Sequence, residues 1–196
     1  QQEAHWLNLP NLITISRLVL AVVLFYLITI PGWWKTAAIL FAVAAGTDFL
    51  DGFIARRYGL VTALGRILDP FADKFIICGT FVFLLVAKTP ENEPAETGIT
   101  AFIVIVVLAR EMFVTSLRGY LEQQGRDFSA SLSGKIKMVV QCAAVPMSLL
   151  SLTEELKDVE WFLAARNVTI WTAVVVTVFS GVFYAVRAIT MLKREG

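Results

Sequence analysis

Charge is what this sequence has least of. Lysine, arginine, aspartate and glutamate make up 17% of the 196 residues, against ~25% in a typical soluble domain. Hydrophobic residues make up 57%, and the mean hydropathy is +0.71. So few polar groups cannot cover the surface of a chain this small, which argues against a soluble domain and against intrinsic disorder. Neither sign of charge dominates: the net charge is +1, so bulk attraction to polyanions is not the theme and no nucleic-acid partner is expected. The single histidine, His5, reads as a surface residue. The two cysteines, Cys78 and Cys142, lie singly in apolar runs with no metal-ligand spacing, and read as small core residues. What remains is an all-α integral membrane protein, organised as one domain over 1–196.

Charge-free runs occur at Leu18–Trp34, Thr36–Thr47, Phe75–Ala87, Thr97–Ala109, Met138–Thr153 and Asn167–Val186. A bilayer core needs ~20 mostly apolar residues per helix, so several runs reach that length only by continuing through charged residues at one end. The pattern predicts six transmembrane helices at roughly 11–31, 34–57, 63–88, 98–123, 132–153 and 166–191. With six spans both termini share a side. That side receives thirteen of the seventeen basic residues, and the other receives Lys35, Lys88, Lys157 and Arg166. The positive-inside rule makes the first side cytoplasmic, in the cell membrane. The outer connections, Thr89–Thr97 and Thr153–Glu160, are acidic, and Pro90 and Pro94 break the first of them. Gln1–Asn11 is polar and short, so no cleaved signal peptide is expected there. Instead His5, Trp6, Leu7 and Leu9 suggest that 1–10 is a short interfacial segment.

The informative stretch is Asp48-Phe-Leu-Asp51-Gly52-Phe-Ile-Ala55-Arg56, then eight residues, then Gly65-Arg-Ile-Leu-Asp69-Pro-Phe-Ala-Asp73. Asp48 and Asp51 are three apart and Asp69 and Asp73 four apart, so each pair projects from one helical face. Helices two and three are expected to be antiparallel neighbours joined by the turn at Tyr58–Thr62, which would bring the four carboxylates into one cavity near the cytoplasmic surface. Ionisable groups at membrane depth are costly and mark sites. Carboxylates this close repel unless cations compensate, and hard divalent ions such as Mg²⁺ or Mn²⁺ suit oxygen donors. Four carboxylates can hold two such ions, an arrangement suited to phosphoryl displacement. Gly52 and Ala55 are small enough to let a ligand approach the backbone, and Arg56 can pair with a pyrophosphate oxygen.

This stretch resembles the signature of the CDP-alcohol phosphotransferase family, D-x2-D-G-x2-A-R-x8-G-x3-D-x3-D. All eight fixed positions are present within 26 residues: Asp48, Asp51, Gly52, Ala55, Arg56, Gly65, Asp69 and Asp73. The resemblance implies that family's fold, a homodimer, and a reaction in which an alcohol attacks the phosphorus of a CDP-linked substrate and CMP leaves. It implies Asp48, Asp51 and Asp69 as principal ligands of two metal ions. Asp73 would contribute to the second ion and act as general base. Gly52, Ala55, Arg56, Thr62 and Gly65 would surround the nucleotide.

A second cluster bears on the acceptor. Ala109-Arg110-Glu111 leads to Thr115-Ser-Leu-Arg118-Gly119, and Ser131-Leu-Ser133-Gly134-Lys135-Ile-Lys137 follows. Arg110 and Arg118, eight apart, lie close to one helical face, and Glu111 and Thr115 form an i,i+4 pair beside them. Four cations flanking one cytoplasmic connection suit an acceptor that carries its own phosphate. These residues resemble those of one branch of the family, the phosphatidylglycerophosphate synthases, which show A-R-E, T-x-L-R and G-K-x-K. Met138 departs from the Thr that commonly follows there. Asn8-Leu-Pro10-Asn11-Leu-Ile-Thr14-Ile-Ser-Arg17 is similar to their N-terminal motif, which implies Asn11, Thr14 and Arg17 near the nucleotide. The implied substrates are CDP-diacylglycerol and sn-glycerol 3-phosphate. Arg110, Thr115, Arg118, Lys135 and Lys137 would bind the acceptor's phosphate. On charge alone inositol phosphate suits the cluster equally well, so phosphatidylinositol phosphate synthase stays open beside the cardiolipin and phosphatidylserine synthases. A divalent-cation transporter is the alternative from another class, but its path would carry polar groups across the membrane, whereas these carboxylates gather on one side.

Overall fold

The computed structural model describes the backbone of residues 9–58, 63–125 and 132–193, and their side chains except those of 9–10, 48–58, 63–64, 66 and 132. The described residues form six helices: α1 (Leu9–Thr29), α2 (Trp34–Tyr58), α3 (Ala63–Leu85), α4 (Ala101–Gln123), α5 (Leu132–Leu150) and α6 (Glu160–Lys193). No strand occurs among them, only one isolated bridge between Lys88 and Pro94. The interfacial segment expected at 1–10 lies largely outside the described residues, and its last two positions already belong to α1. Pro10 is tolerated there, because first-turn N–H groups have no intrahelical partner anyway. Pro70 and Pro146 sit inside α3 and α5 without ending them.

Several boundaries differ from the sequence pattern: α1 runs from 9 to 29 rather than 11 to 31, and α4 starts at Ala101 rather than 98. α3 and α5 stop at Leu85 and Leu150, because hydrogen-bonded turns take over. After α3, Ala95 N–H donates to Ala87 C=O at 2.9 Å and Thr89 N–H to Glu93 C=O at 2.8 Å. Asn92 takes the left-handed backbone conformation (φ 64°) that closes this turn. α6 starts at Glu160, six residues before the expected 166, so Arg166 lies within the helix and is buried. Its guanidinium donates to the Glu96 carbonyl, to Ser151 Oγ at 3.0 Å and to Asn167 Oδ1 at 3.1 Å, tying three segments together at this end. Nearby, exposed Lys35 donates to Glu155 at 2.6 Å. That hydrogen bond holds the Glu155 carboxyl below the usual range.

Among the described residues the main neighbour of both α2 and α3 is α1, rather than each other. Phe25 of α1 is the reason on the α3 side. Its ring stacks on Phe83 at 4.8 Å between centroids and meets Phe75 edge-on at 5.3 Å. The ring enters a slot at Gly79, where even a Cβ would overlap it. α5 packs against α2, α3 and α6, and α4 against α3 and α6.

The bundle is apolar outside and partly polar inside. Val19, Val22 and Tyr26 of α1, Phe102, Ile105 and Met112 of α4, and Trp171, Val175, Phe179 and Val186 of α6 are exposed. Thr80, Gln141, Ser148, Thr177 and Ser180 are buried, with Gln141 Nε2 donating to Thr177 Oγ1 at 3.0 Å. A continuous apolar exterior of this kind is stable against an apolar medium rather than water. Among the described residues, two helices, Asn11–Thr29 and Glu160–Lys193, are long and apolar enough to cross a membrane.

Filling the Gly79 slot tests the α1–α3 packing. Gly79→Ala is expected to destabilise the detergent-solubilised protein by roughly 1–3 kcal/mol, the usual cost of overpacking, read as a lower thermal unfolding midpoint. An unchanged midpoint would show that Phe25 has room to move.

Candidate active site

Asn11, Thr14 and Arg17 are spaced three apart on α1, so a single helical face carries all three, and all are buried. This face meets the start of α3. Thr14 Oγ1 donates to Asp69 Oδ1 at 2.6 Å, and Arg17 Nη2 donates to Asp73 Oδ1 at 2.7 Å. The Arg17 side chain is 2% exposed and Asp73 33%. The guanidinium is therefore withdrawn from solvent while the carboxylate still faces open space. Such a partner offsets the desolvation of a buried cation.

Asp69 and Asp73 face a cavity of about 530 Å³. Its far wall belongs to α4 and α5, and there Arg110, Glu111, Thr115, Arg118 and Lys137 line it. Glu111 Oε1 accepts from Lys137 Nζ at 2.6 Å and from Arg110 Nη1 at 3.0 Å. Arg110 Nη2 donates to Ser180 Oγ of α6 at 2.7 Å, and the guanidinium sits 5.6 Å from the centre of the Tyr184 ring. Thr115 Oγ1 donates to the Glu111 carbonyl at 2.6 Å. The Nε groups of Arg110 and Arg118 are buried without a hydrogen-bond partner among the described residues. One space thus holds carboxylate oxygens on one side and cationic donors on the other.

The expected residues fall into three groups. Asp69, Asp73, Arg110, Thr115, Arg118 and Lys137 line the cavity, and Thr14 and Arg17 hold its two aspartates. Asn11 and Gly65 are buried beside them in the chain without lining it. Lys135 is exposed and is not part of the lining, unlike Lys137 two residues on. At ~100° per residue, positions two apart face in nearly opposite directions, so only one of them can enter the cavity. Asp48, Asp51, Gly52, Ala55 and Arg56 lie in the last turns of α2, where side chains are outside those described, and Thr62 is outside the described residues altogether. Sequence reasoning missed Lys74 and Glu122, which also line the cavity, and Ser180 and Tyr184, which support Arg110. The signal for Ser180 and Tyr184 was faint: polar groups four apart within the long apolar run of α6.

The donor chemistry fits a divalent metal ion of the hard, oxygen-preferring kind. Asp69 and Asp73 are one helical turn apart and half-buried, with both carboxylates on the cavity. Among the described residues no group of three or more metal-ligating side chains is assembled. The remaining carboxylates of the motif are those of Asp48 and Asp51.

Comparison with known proteins agrees with this arrangement. A family model described as CDP-alcohol phosphatidyltransferase matches residues 7–179. A Bacillus subtilis (strain 168) protein named CDP-diacylglycerol–glycerol-3-phosphate 3-phosphatidyltransferase is 34% identical over 189 residues, covering 89% of this chain and 91% of its own. Proteins of the same name from Rickettsia bellii (strain RML369-C) and Escherichia coli (strain K12) are each 32% identical. The first covers 90% of this chain and 93% of its own. The second covers 84% of this chain and 90% of its own. With the family model spanning most of its length, the chain belongs to the CDP-alcohol phosphatidyltransferase family.

Proposed function

We propose that this protein transfers the phosphatidyl group of CDP-diacylglycerol to sn-glycerol 3-phosphate, giving phosphatidylglycerophosphate and CMP. The observation that carries this reading is the shared cavity, with Asp69 and Asp73 on one wall and Arg110, Arg118 and Lys137 on the other. Carboxylates alone would suit any CDP-alcohol chemistry. The facing cations select an acceptor that brings its own phosphate, and the names of the relatives agree with that choice.

The same reading makes the protein a six-helix membrane enzyme. The apolar exterior would face lipid, and the excess of basic residues on its side supports a cavity open to the cytoplasmic face of the cell membrane. The diacylglycerol tails stay in the bilayer while the cytidine diphosphate and the acceptor enter from water.

Asp48, Asp51, Asp69 and Asp73 would hold two Mg²⁺ or Mn²⁺ ions. Bound there, these ions supply positive charge to the pyrophosphate and to CMP as it leaves. The residues of the chain do the rest. Thr14 and Arg17 fix the Asp69 and Asp73 carboxylates by hydrogen bonds. Asn11, Gly52, Ala55, Arg56, Thr62 and Gly65 surround the nucleotide. Arg110, Arg118 and Lys137 hold the acceptor's phosphate and aim its primary hydroxyl, with Thr115 beside them, while Lys135 adds positive field from outside the cavity. The hydroxyl oxygen attacks the phosphorus bearing the diacylglycerol, the bond from that phosphorus to CMP breaks, and the Asp73 carboxylate takes the hydroxyl proton.

Two substitutions test these roles. Asp69→Asn is expected to lower kcat by at least ~100-fold in a folded protein, since even changes behind a metal ligand cost ~10–100-fold. Near-normal turnover at saturating Mg²⁺ would remove Asp69 from the metal site. Arg118→Ala is expected to raise the KM for glycerol 3-phosphate by ~10-fold or more, the worth of one charged hydrogen bond, and to leave that for CDP-diacylglycerol nearly unchanged. Equal effects on both substrates would make Arg118 a general scaffold residue.

A further inference from the structure

Glu111 is out of place in the wall just described. An isolated carboxylate there would repel the phosphate that the cavity is built to hold. Yet it lines the cavity and is 8% exposed, and one of its oxygens, Oε1, accepts from both Lys137 and Arg110. We propose that Glu111 is a positioning residue for acceptor recognition: it holds Lys137 and Arg110 from behind, so that their remaining donors face the acceptor's phosphate. This rests on the functional reading above.

Donor arithmetic supports the assignment. An ammonium has three N–H donors and a guanidinium five. Glu111 takes one from Lys137, which leaves two. Glu111 and Ser180 each take one from Arg110, which leaves three, and the buried Nε is among those without a protein partner in the described residues. Both cations are thus anchored without being used up. Glu111 also sits between elements, since Lys137 comes from α5, Arg110 from α4, and the Ser180 that Arg110 reaches from α6.

Charge arithmetic points the same way. Besides Asp69 and Asp73, the lining brings four positive charges (Lys74, Arg110, Arg118 and Lys137) and two negative ones (Glu111 and Glu122), which leaves two. A phosphate monoester carries about −1.5 to −2 at neutral pH, so the compensated cluster matches it. Without Glu111, two cations that now share one oxygen would repel each other in a poorly solvated wall, and the flexible lysine would swing away.

The test is Glu111→Gln, which keeps the shape and an acceptor oxygen but removes the charge. The KM for glycerol 3-phosphate is expected to rise by about tenfold or more, while that for CDP-diacylglycerol changes by less than about twofold. Inorganic phosphate is expected to raise the unfolding midpoint of the wild-type protein, and Glu111→Gln to lose that rise. In a Lys137→Met background, where both buried charges of the pair can be removed together, Glu111→Gln is expected to raise the KM for glycerol 3-phosphate by less than it does alone, since only the hold on Arg110 is left to lose. That double variant also keeps the test alive if Glu111→Gln alone fails to fold. An unchanged KM for glycerol 3-phosphate would overturn the proposal. So would equal rises for both substrates, fully additive effects with Lys137→Met, or a phosphate response that survives the substitution. The phosphate response needs no turnover. A wild-type protein that ignores glycerol 3-phosphate but loses its phosphate response with Glu111 would therefore count against the functional reading and for the role of Glu111.

Discussion

Lys137 and Glu111 meet at 2.6 Å inside a bundle whose other helix contacts are largely apolar, and both side chains are buried. Charge drawn away from water must find hydrogen-bonding partners, opposite charge above all, and in this fold that requirement also arranges the helices. Arg17 and Asp73 tie α1 to α3, and Lys137, Glu111, Arg110 and Ser180 tie α5, α4 and α6. The two ties form opposite walls of one cavity. The charges that would meet a substrate are therefore the same ones that hold the helices in place. Removing one partner of such a pair costs more than removing both, because the survivor is left buried and uncompensated.

The far end of the bundle obeys the same rule without a cavity of this kind. Arg166 is buried, but its donors are met by a carbonyl, a hydroxyl and a side-chain amide rather than by a carboxylate. It works as a clamp on the Glu96, Ser151 and Asn167 segments. Gly98 lies against it with φ 77°, where a Cβ would come within 3.1 Å of Arg166 Nε. About nine turns of helix separate the start of α6 from its end, so a rigid clamp at one end supports the placement of Ser180 and Tyr184 along the same rod.

Much of this was legible in the sequence, for identifiable reasons. Prolines at 90 and 94 and the acidic connections marked the breaks between helices, and the spacing of Asp69 and Asp73 put both on one face. The early start of α6 was not legible, because Arg166 looks like an anchor at a membrane surface until the carbonyl of Glu96 is seen to receive it. Nor was the difference between Lys135 and Lys137, which depends on which face of α5 turns inward. The contacts of Thr14 with Asp69 and Arg17 with Asp73 join residues more than fifty positions apart, and the packing of Phe25 into the Gly79 slot helps to hold that register.

If the facing cations choose a phosphorylated acceptor, and that acceptor is glycerol 3-phosphate, turnover depends on it. The most direct measurement is CMP release from CDP-diacylglycerol by the purified protein with Mg²⁺ or Mn²⁺, supplying glycerol 3-phosphate, inositol phosphate, serine and glycerol in turn. CMP is expected to appear only with glycerol 3-phosphate. Release that is equally fast without it, or that favours one of the other acceptors, would contradict that dependence.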